Sequence, residues 1–218
     1  MLRTALVTIL LAGVALPAHA QDTPAVPLAP KPAALTAEGV PLLPLAMVGK
    51  VRPYLESRAA GFAGWDPKTR AVLIQTRFAN TAQLHRVAAP MGARTQISFE
   101  AEPVGGGYAP QKGDVLLVQK DQGGDEYYQL YTLANGRLTL LSDGKSRNEG
   151  NAWSRDGQLV GFSSTRRTGA DSDLYVMDPR DPASSRMVAQ VKGGGWGIAG
   201  FAPDKASAYV AKDRKSVV

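Results

Sequence analysis

Residues 151–179 read NAWSRDGQLVGFSSTRRTGADSDLYVMDP: an aromatic with a turn behind it, an apolar strand, a polar loop and a second apolar strand. The same order recurs through the chain. An aromatic and a turn open each unit, Trp65 in GWDPKTR, Tyr108 in GYAPQKG, Trp153 in AWSRDG and Phe201 in GFAPDK, at intervals of 43, 45 and 48 residues. Six or seven residues later an apolar strand begins, VLIQTR at Val72, VLLVQK at Val115, LVGFSS at Leu159 and AYVAKD at Ala208. The first three units add a third strand (QLHRV from Gln83, YQLYTL from Tyr128, DLYVMD from Asp173) and a fourth (TQISF from Thr95, RLTLL from Arg137, MVAQV from Met187). Asn135-Gly136 and Asp156-Gly157 supply residues that tolerate positive φ in the hairpins between strands.

Four-stranded antiparallel units at a period in the forties are the sequence signature of β-propeller blades, which bury their faces only by stacking. The reading is an all-β, incomplete propeller over residues 61–212, with units at about 61–103, 104–148, 149–196 and an incomplete 197–212. Each opening aromatic is expected on an inner strand, packed between neighbouring units. A closed propeller takes 4 to 8 blades, so further units are expected beyond these residues. The terminal 213–218 breaks the pattern and reads as a non-native tail.

Upstream, Arg3, the 12-residue apolar run Ala5–Leu16 and Ala18-His19-Ala20 read as a signal peptide over residues 1–20, cleaved between Ala20 and Gln21. The run is too short to span a bilayer, which needs about 20 residues, so a periplasmic or secreted product without a membrane span is expected. Residues 21–60 carry Pro24, Pro27, Pro30, Pro32, Pro41 and Pro44, which make an extended linker. Leu45, Val48, Val51, Tyr54 and Leu55 then recur at spacings of three and four, predicting a short amphipathic helix that Pro53 kinks or ends.

With no Cys in 218 residues there is no disulfide framework and no thiolate metal site. The formal charge of +6 is spread along the chain, without the clustered basic face of a nucleic-acid binder. Gly195-Trp196-Gly197-Ile198-Ala199-Gly200 matches a dinucleotide-binding motif in letters, but a strand and turn follow it where that motif needs a helix, and no cofactor is expected. Asp171, Asp173, Asp178 and Asp181 lack the spacing of a calcium loop and read as hairpin residues facing solvent, as does Arg166-Arg167. There is no G-x-S-x-G, and His85 is the only His after the leader, so no hydrolase triad can be assembled. One polar stretch, Gly144–Asn151, leads into the inner strand of the third unit; Arg147, Asn148 and Glu149 are the candidates for lining a substrate channel.

LIQTRFANTAQLHRVAAPMGARTQISFEAEPV (73–104), DEYYQLYTLANGRLTLLSDGKSRNEGNAWSRDG (125–157) and SSTRRTGADSDLYVMDP (163–179) together resemble the N-terminal propeller of exported bacterial serine peptidases of the prolyl oligopeptidase family, of the dipeptidyl-aminopeptidase and acyl-peptide hydrolase kind. The resemblance runs from about Val40 to Lys212. It implies a propeller that caps a C-terminal α/β-hydrolase domain bearing Ser, Asp and His and admits short peptides by size. None of those catalytic positions has a counterpart here, and Asp125-Glu126 stands in a different phrase from the family's amine-binding acidic pair. The rival reading is a non-enzymatic periplasmic TolB-type propeller that binds protein partners.

Overall fold

The structure, a computed structural model, describes residues 26–66 and 69–213. The leader, its cleavage site at Ala20 and residues 214–218 lie outside the described residues. The chain divides between Ser57 and Arg58 into two compact units.

In the first unit, the Pro-rich stretch folds back on itself through a bridge between Leu28 and Pro44, flanked by Ala29 N–H to Leu43 O and Leu45 N–H to Pro27 O. Helix α1 (Leu45–Leu55) follows where the periodicity places it. It continues two residues past Pro53 and ends as the Glu56 amide bonds to Arg52 O. No residue of α1 is buried. The helix is thus present at the expected residues, with Val48, Val51 and Tyr54 of its apolar spacing exposed. Spacing fixes which residues share a face, while burial needs a partner surface.

The second unit is all-β. Sheet one comprises β1 (Ala60–Trp65), β2 (Val72–Thr76), β3 (Gln83–Val87) and β4 (Arg94–Gln96); sheet two, β5 (Gly105–Tyr108), β6 (Leu116–Lys120), β7 (Gln129–Ala134) and β8 (Arg137–Leu140). Sheet three holds β9 (Asn148–Trp153), β10 (Val160–Ser164), β11 (Asp173–Asp178) and β12 (Asp181–Ala189), and sheet four β13 (Trp196–Phe201) and β14 (Ala208–Lys212). Every sheet is an antiparallel meander in chain order. Each carries one bulge on its first strand or opposite it, just before the opening aromatic: between Phe62 and Gly64, Gly106 and Tyr108, and Ile198 and Gly200, and opposite Gly161 and Ser163. The extra residue bends the first strand at the same place in each repeat.

Consecutive sheets stack face to face. Leu84 and Val104 meet Val118 and Leu133 between sheets one and two. Leu117, Leu130 and Leu141 meet Val160, Phe162, Tyr175 and Met177 between two and three. Leu174 and Val176 meet Ile198 and Phe201 between three and four. The alternation of a strand explains this: odd positions of the second and third strands face the preceding sheet, even positions the following one. Gly161 makes the last junction close, because a Cβ there would stand 2.9 Å from Ile198 Cγ2. Two glutamines stitch neighbouring sheets at the same offset, Gln75 Nε2 donating to Val104 O (2.6 Å) and Gln119 Nε2 to Asn148 O (3.1 Å).

The opening aromatics divide. Tyr108 and Trp153 pack on the core between sheets two and three, and Phe201 on that between three and four. Trp65 does not follow: it is 60% exposed, edge-on to Phe62 at 5.7 Å. Among the described residues no sheet precedes the first to cover that face, which corrects the expectation that all four pack between units. The hairpins divide too. Asn135 and Gly136 both have positive φ (50° and 76°), the type I′ pair, whereas at Asp156-Gly157 only Gly157 does, at 73°.

A buried polar clamp recurs at the first residue of the third strand. Gln83 Oε1 accepts from Ser98 Oγ (2.7 Å) and the Glu100 amide, while its Nε2 donates to Glu100 O and Glu102 O. Gln129 Oε1 accepts from Ser142 Oγ (2.7 Å) and the Gly144 amide, and its Nε2 donates to Tyr127 O and Ser146 O. In both sheets the serine hydroxyl also receives the next backbone amide, Leu84 or Leu130. Asp173 holds the third position, fully buried.

Candidate functional site

Where the β6–β7 and β10–β11 loops meet the approaches to β9 and β13, a cavity of about 670 Å³ opens. Arg147 and Glu149 stand in its wall, with Asp125, Glu126, Ser163 and Thr165 around them. The position of Arg147 follows from backbone pairing: its amide donates to Thr165 Oγ1 (3.2 Å) and its carbonyl accepts the Thr165 amide (3.0 Å). Ser163 Oγ donates to Glu149 O at 3.3 Å, fixing the next exposed step of the strand. Arg147 and Glu149 form an ion pair, Nη2 to Oε1 2.8 Å and Nε to Oε1 2.9 Å. That hydrogen bond and charge raise the Arg147 guanidinium above its ordinary value.

Asn148 differs from its two neighbours. Strand alternation turns it to the opposite face, where it is fully buried. Its Nδ2 donates to Gln129 Oε1 (3.1 Å), Ser146 O (2.7 Å) and Asp143 Oδ1 (3.1 Å), joining it to the sheet-two clamp. Burial pushes the Asp143 carboxyl up, but hydrogen bonds from Ser146, Asn148 and the Lys145 amide outweigh it and hold the group at about 2. Asn148 thus positions the run of chain that carries Arg147 and Glu149, and it does not line the cavity.

The charge balance of the wall is acidic. Asp125, Glu126, Glu149 and Asp213 contribute carboxylates against the single guanidinium of Arg147. Glu126 sits at a φ of 61°, an uncommon conformation for a residue with a side chain, with its amide bonded to Asp121 Oδ2. Asp125 Oδ1 accepts the Tyr127 amide at 2.9 Å. Asp125–Tyr127 and Gly169–Ser172 occupy the same place in their repeats, just ahead of β7 and β11. Aligning the units strand by strand would have brought these loops into the candidate set.

Other singled-out residues have structural places. His85 is buried in sheet one, with Nδ1 3.1 Å from Gln83 O and its ring 5.2 Å from Phe78. The Gly195–Gly200 motif leads directly into β13 and forms strand. Asp173, fully buried, and Arg166, half-buried, correct the expectation of solvent-facing hairpin residues, whereas Arg167 is exposed as expected. Arg167 Nε pairs with Asp173 Oδ2 at 2.5 Å, and Arg166 lies 4.2 Å over the Tyr175 ring. Among the described residues no three His, Cys, Asp or Glu side chains gather as a metal-holding group, and no helix is long and apolar enough to cross a membrane.

No protein-family model matches the chain, and no curated protein matches it.

Proposed function

We propose that residues 61–212 are the N-terminal part of a β-propeller belonging to an exported serine peptidase of the prolyl oligopeptidase type, in which the propeller governs access of short peptides to an α/β-hydrolase domain on the same polypeptide. The observation that carries the reading is the series of antiparallel meanders stacked in chain order, each bent by one bulge before its aromatic and three of them clamped at the same residue. The family-like phrases quoted from the sequence coincide with these parts: QLH, QLY and DLY begin the third strands. In this reading the leader is removed after Ala20, and hydrolysis proceeds by acyl transfer at a serine of the hydrolase domain. Arg147 and Glu149 stand at the rim of an acidic, open cavity suited to a peptide of modest size with a positive charge.

The experiment is steady-state kinetics of the whole polypeptide on a graded series of peptides. Replacing Arg147 and Glu149 together with Ala is expected to change kcat/KM several-fold with peptide length, while leaving hydrolysis of a small p-nitrophenyl ester unchanged. Equal kinetics across the series would remove the gating role. Residues 21–218 alone are expected to hydrolyse neither substrate; turnover abolished by changing one serine within them would overturn the two-domain reading.

A further inference from the structure

Sheet four differs from the other three in one respect: among the described residues it has two strands, and the outer edge of β14 pairs with nothing. Beside that edge lies a cavity of about 430 Å³, lined by Leu174, Val176 and Met187 of sheet three and by Ile198, Ala208 and Val210 of sheet four. Tyr209, between Ala208 and Val210, points to the other face and is exposed.

The repeats state what such a place receives. In each complete sheet the last residue of the second strand pairs with the first of the third: Thr76 with Gln83, Lys120 with Gln129, Ser164 with Asp173. Third-strand residues three and five then lie on the preceding sheet. They are Tyr131 and Leu133 over sheet one, and Tyr175 and Met177 over sheet two. Transferred to sheet four, this register sets the first residue opposite Lys212, the third opposite Val210 and the fifth opposite Ala208. Residues three and five then enter the cavity over Leu174 and Val176.

We infer that the β14 edge with its cavity is the acceptor site for a β-hairpin whose first strand opens polar–Leu–aromatic, with a large apolar residue fifth, and that a further stretch of the same polypeptide supplies it. Backbone pairing along β14 provides the attraction, and the two side chains in the cavity provide the selectivity. The inference rests on the stacked-repeat part of the proposal above and not on peptidase chemistry, so its test reads no activity.

The probe is the synthetic hairpin Tyr128–Leu141, YQLYTLANGRLTLL, which already carries this pattern and a type I′ turn. Added to the intact chain, it is expected to bind saturably at about 10–100 µM and to slow amide exchange in β14. Val210→Lys, which places a charge in the cavity at a half-exposed position, should weaken binding at least about tenfold; Tyr209→Lys, on the other face, should change it less than about threefold. A peptide with Asp at its Tyr131 and Leu133 positions should not bind, which keeps the test valid if the protein variants fold poorly. Absence of binding, indifference to Val210→Lys, or a chain already dimeric through β14 that the peptide cannot dissociate would each overturn the inference.

Discussion

Sheets two and three solve one structural problem with different chemistry. At the head of β7, Gln129 offers an acceptor and a donor from a single neutral amide, gathering Ser142 Oγ, the Gly144 amide and Ser146 O. At the head of β11, Asp173 accepts only. It takes the Val191 amide at 2.9 Å, and the donating half comes from Arg167, whose Nη2 reaches both Asp173 Oδ1 (3.0 Å) and Val191 O (3.2 Å). A carboxylate plus a guanidinium replaces a carboxamide. The lesson is that the repeat conserves a pair of hydrogen-bonding roles at this place, and that the third sheet fills them with charges. Charge makes the Asp173 position more sensitive to acid and to loss of its partner than the neutral Gln129 is.

The largest break in this comparison is expected from Asp173→Ala. It leaves the Val191 amide unpaired and Arg167 without its main partner, and should cost about 3 kcal/mol in urea unfolding. Gln129→Ala removes the acceptor of the Ser142 hydroxyl and of the Gly144 amide without stranding a charge. It is expected to cost about 2 kcal/mol by the same measurement.

Acid sharpens the contrast. The hydrogen bond from Arg167, then the Val191 amide, hold the Asp173 carboxyl below the usual carboxylate range against the opposing effect of burial. A depressed carboxyl stabilises the fold above its unfolded value of about 3.9, and that contribution is lost as pH falls through this value toward the lower folded one. Thermal melts between pH 7 and pH 3 should therefore show a steeper loss for the parent chain than for Asp173→Asn. Gln129→Ala should keep the parent's slope. Smallest is the effect of Ser142→Ala, about 1 kcal/mol, from the hydroxyl that joins Gln129 to the Leu130 amide.

Much of this was legible in the letters. The polar–Leu–aromatic phrase marks the first residues of β3, β7 and β11, and the leucines in it, Leu84, Leu130 and Leu174, are all fully buried or nearly so. What could not be read was whatever depends on a neighbour far along the chain. Asp173 looks like a solvent-facing hairpin residue because Val191, whose amide it accepts and whose carbonyl Arg167 binds, is distant in sequence. Trp65 and Trp153 occupy equivalent repeat positions, and only the presence of a preceding sheet separates exposed from packed. Arg147, Asn148 and Glu149 read as one polar run, whereas the alternation of β9 sends Asn148 into the clamp and leaves its neighbours at the cavity. A helix period placed α1, but no pattern within Leu45–Leu55 says whether another surface covers it.

Whether these stacked repeats belong to a serine peptidase's propeller is decided by reading the gene at its chromosomal locus. An open frame is expected to run on through further polar–Leu–aromatic repeats into a G-x-S-x-G segment set between a strand and a helix. A stop codon directly after Val218, in chromosomal DNA that continues beyond it, would contradict the claim.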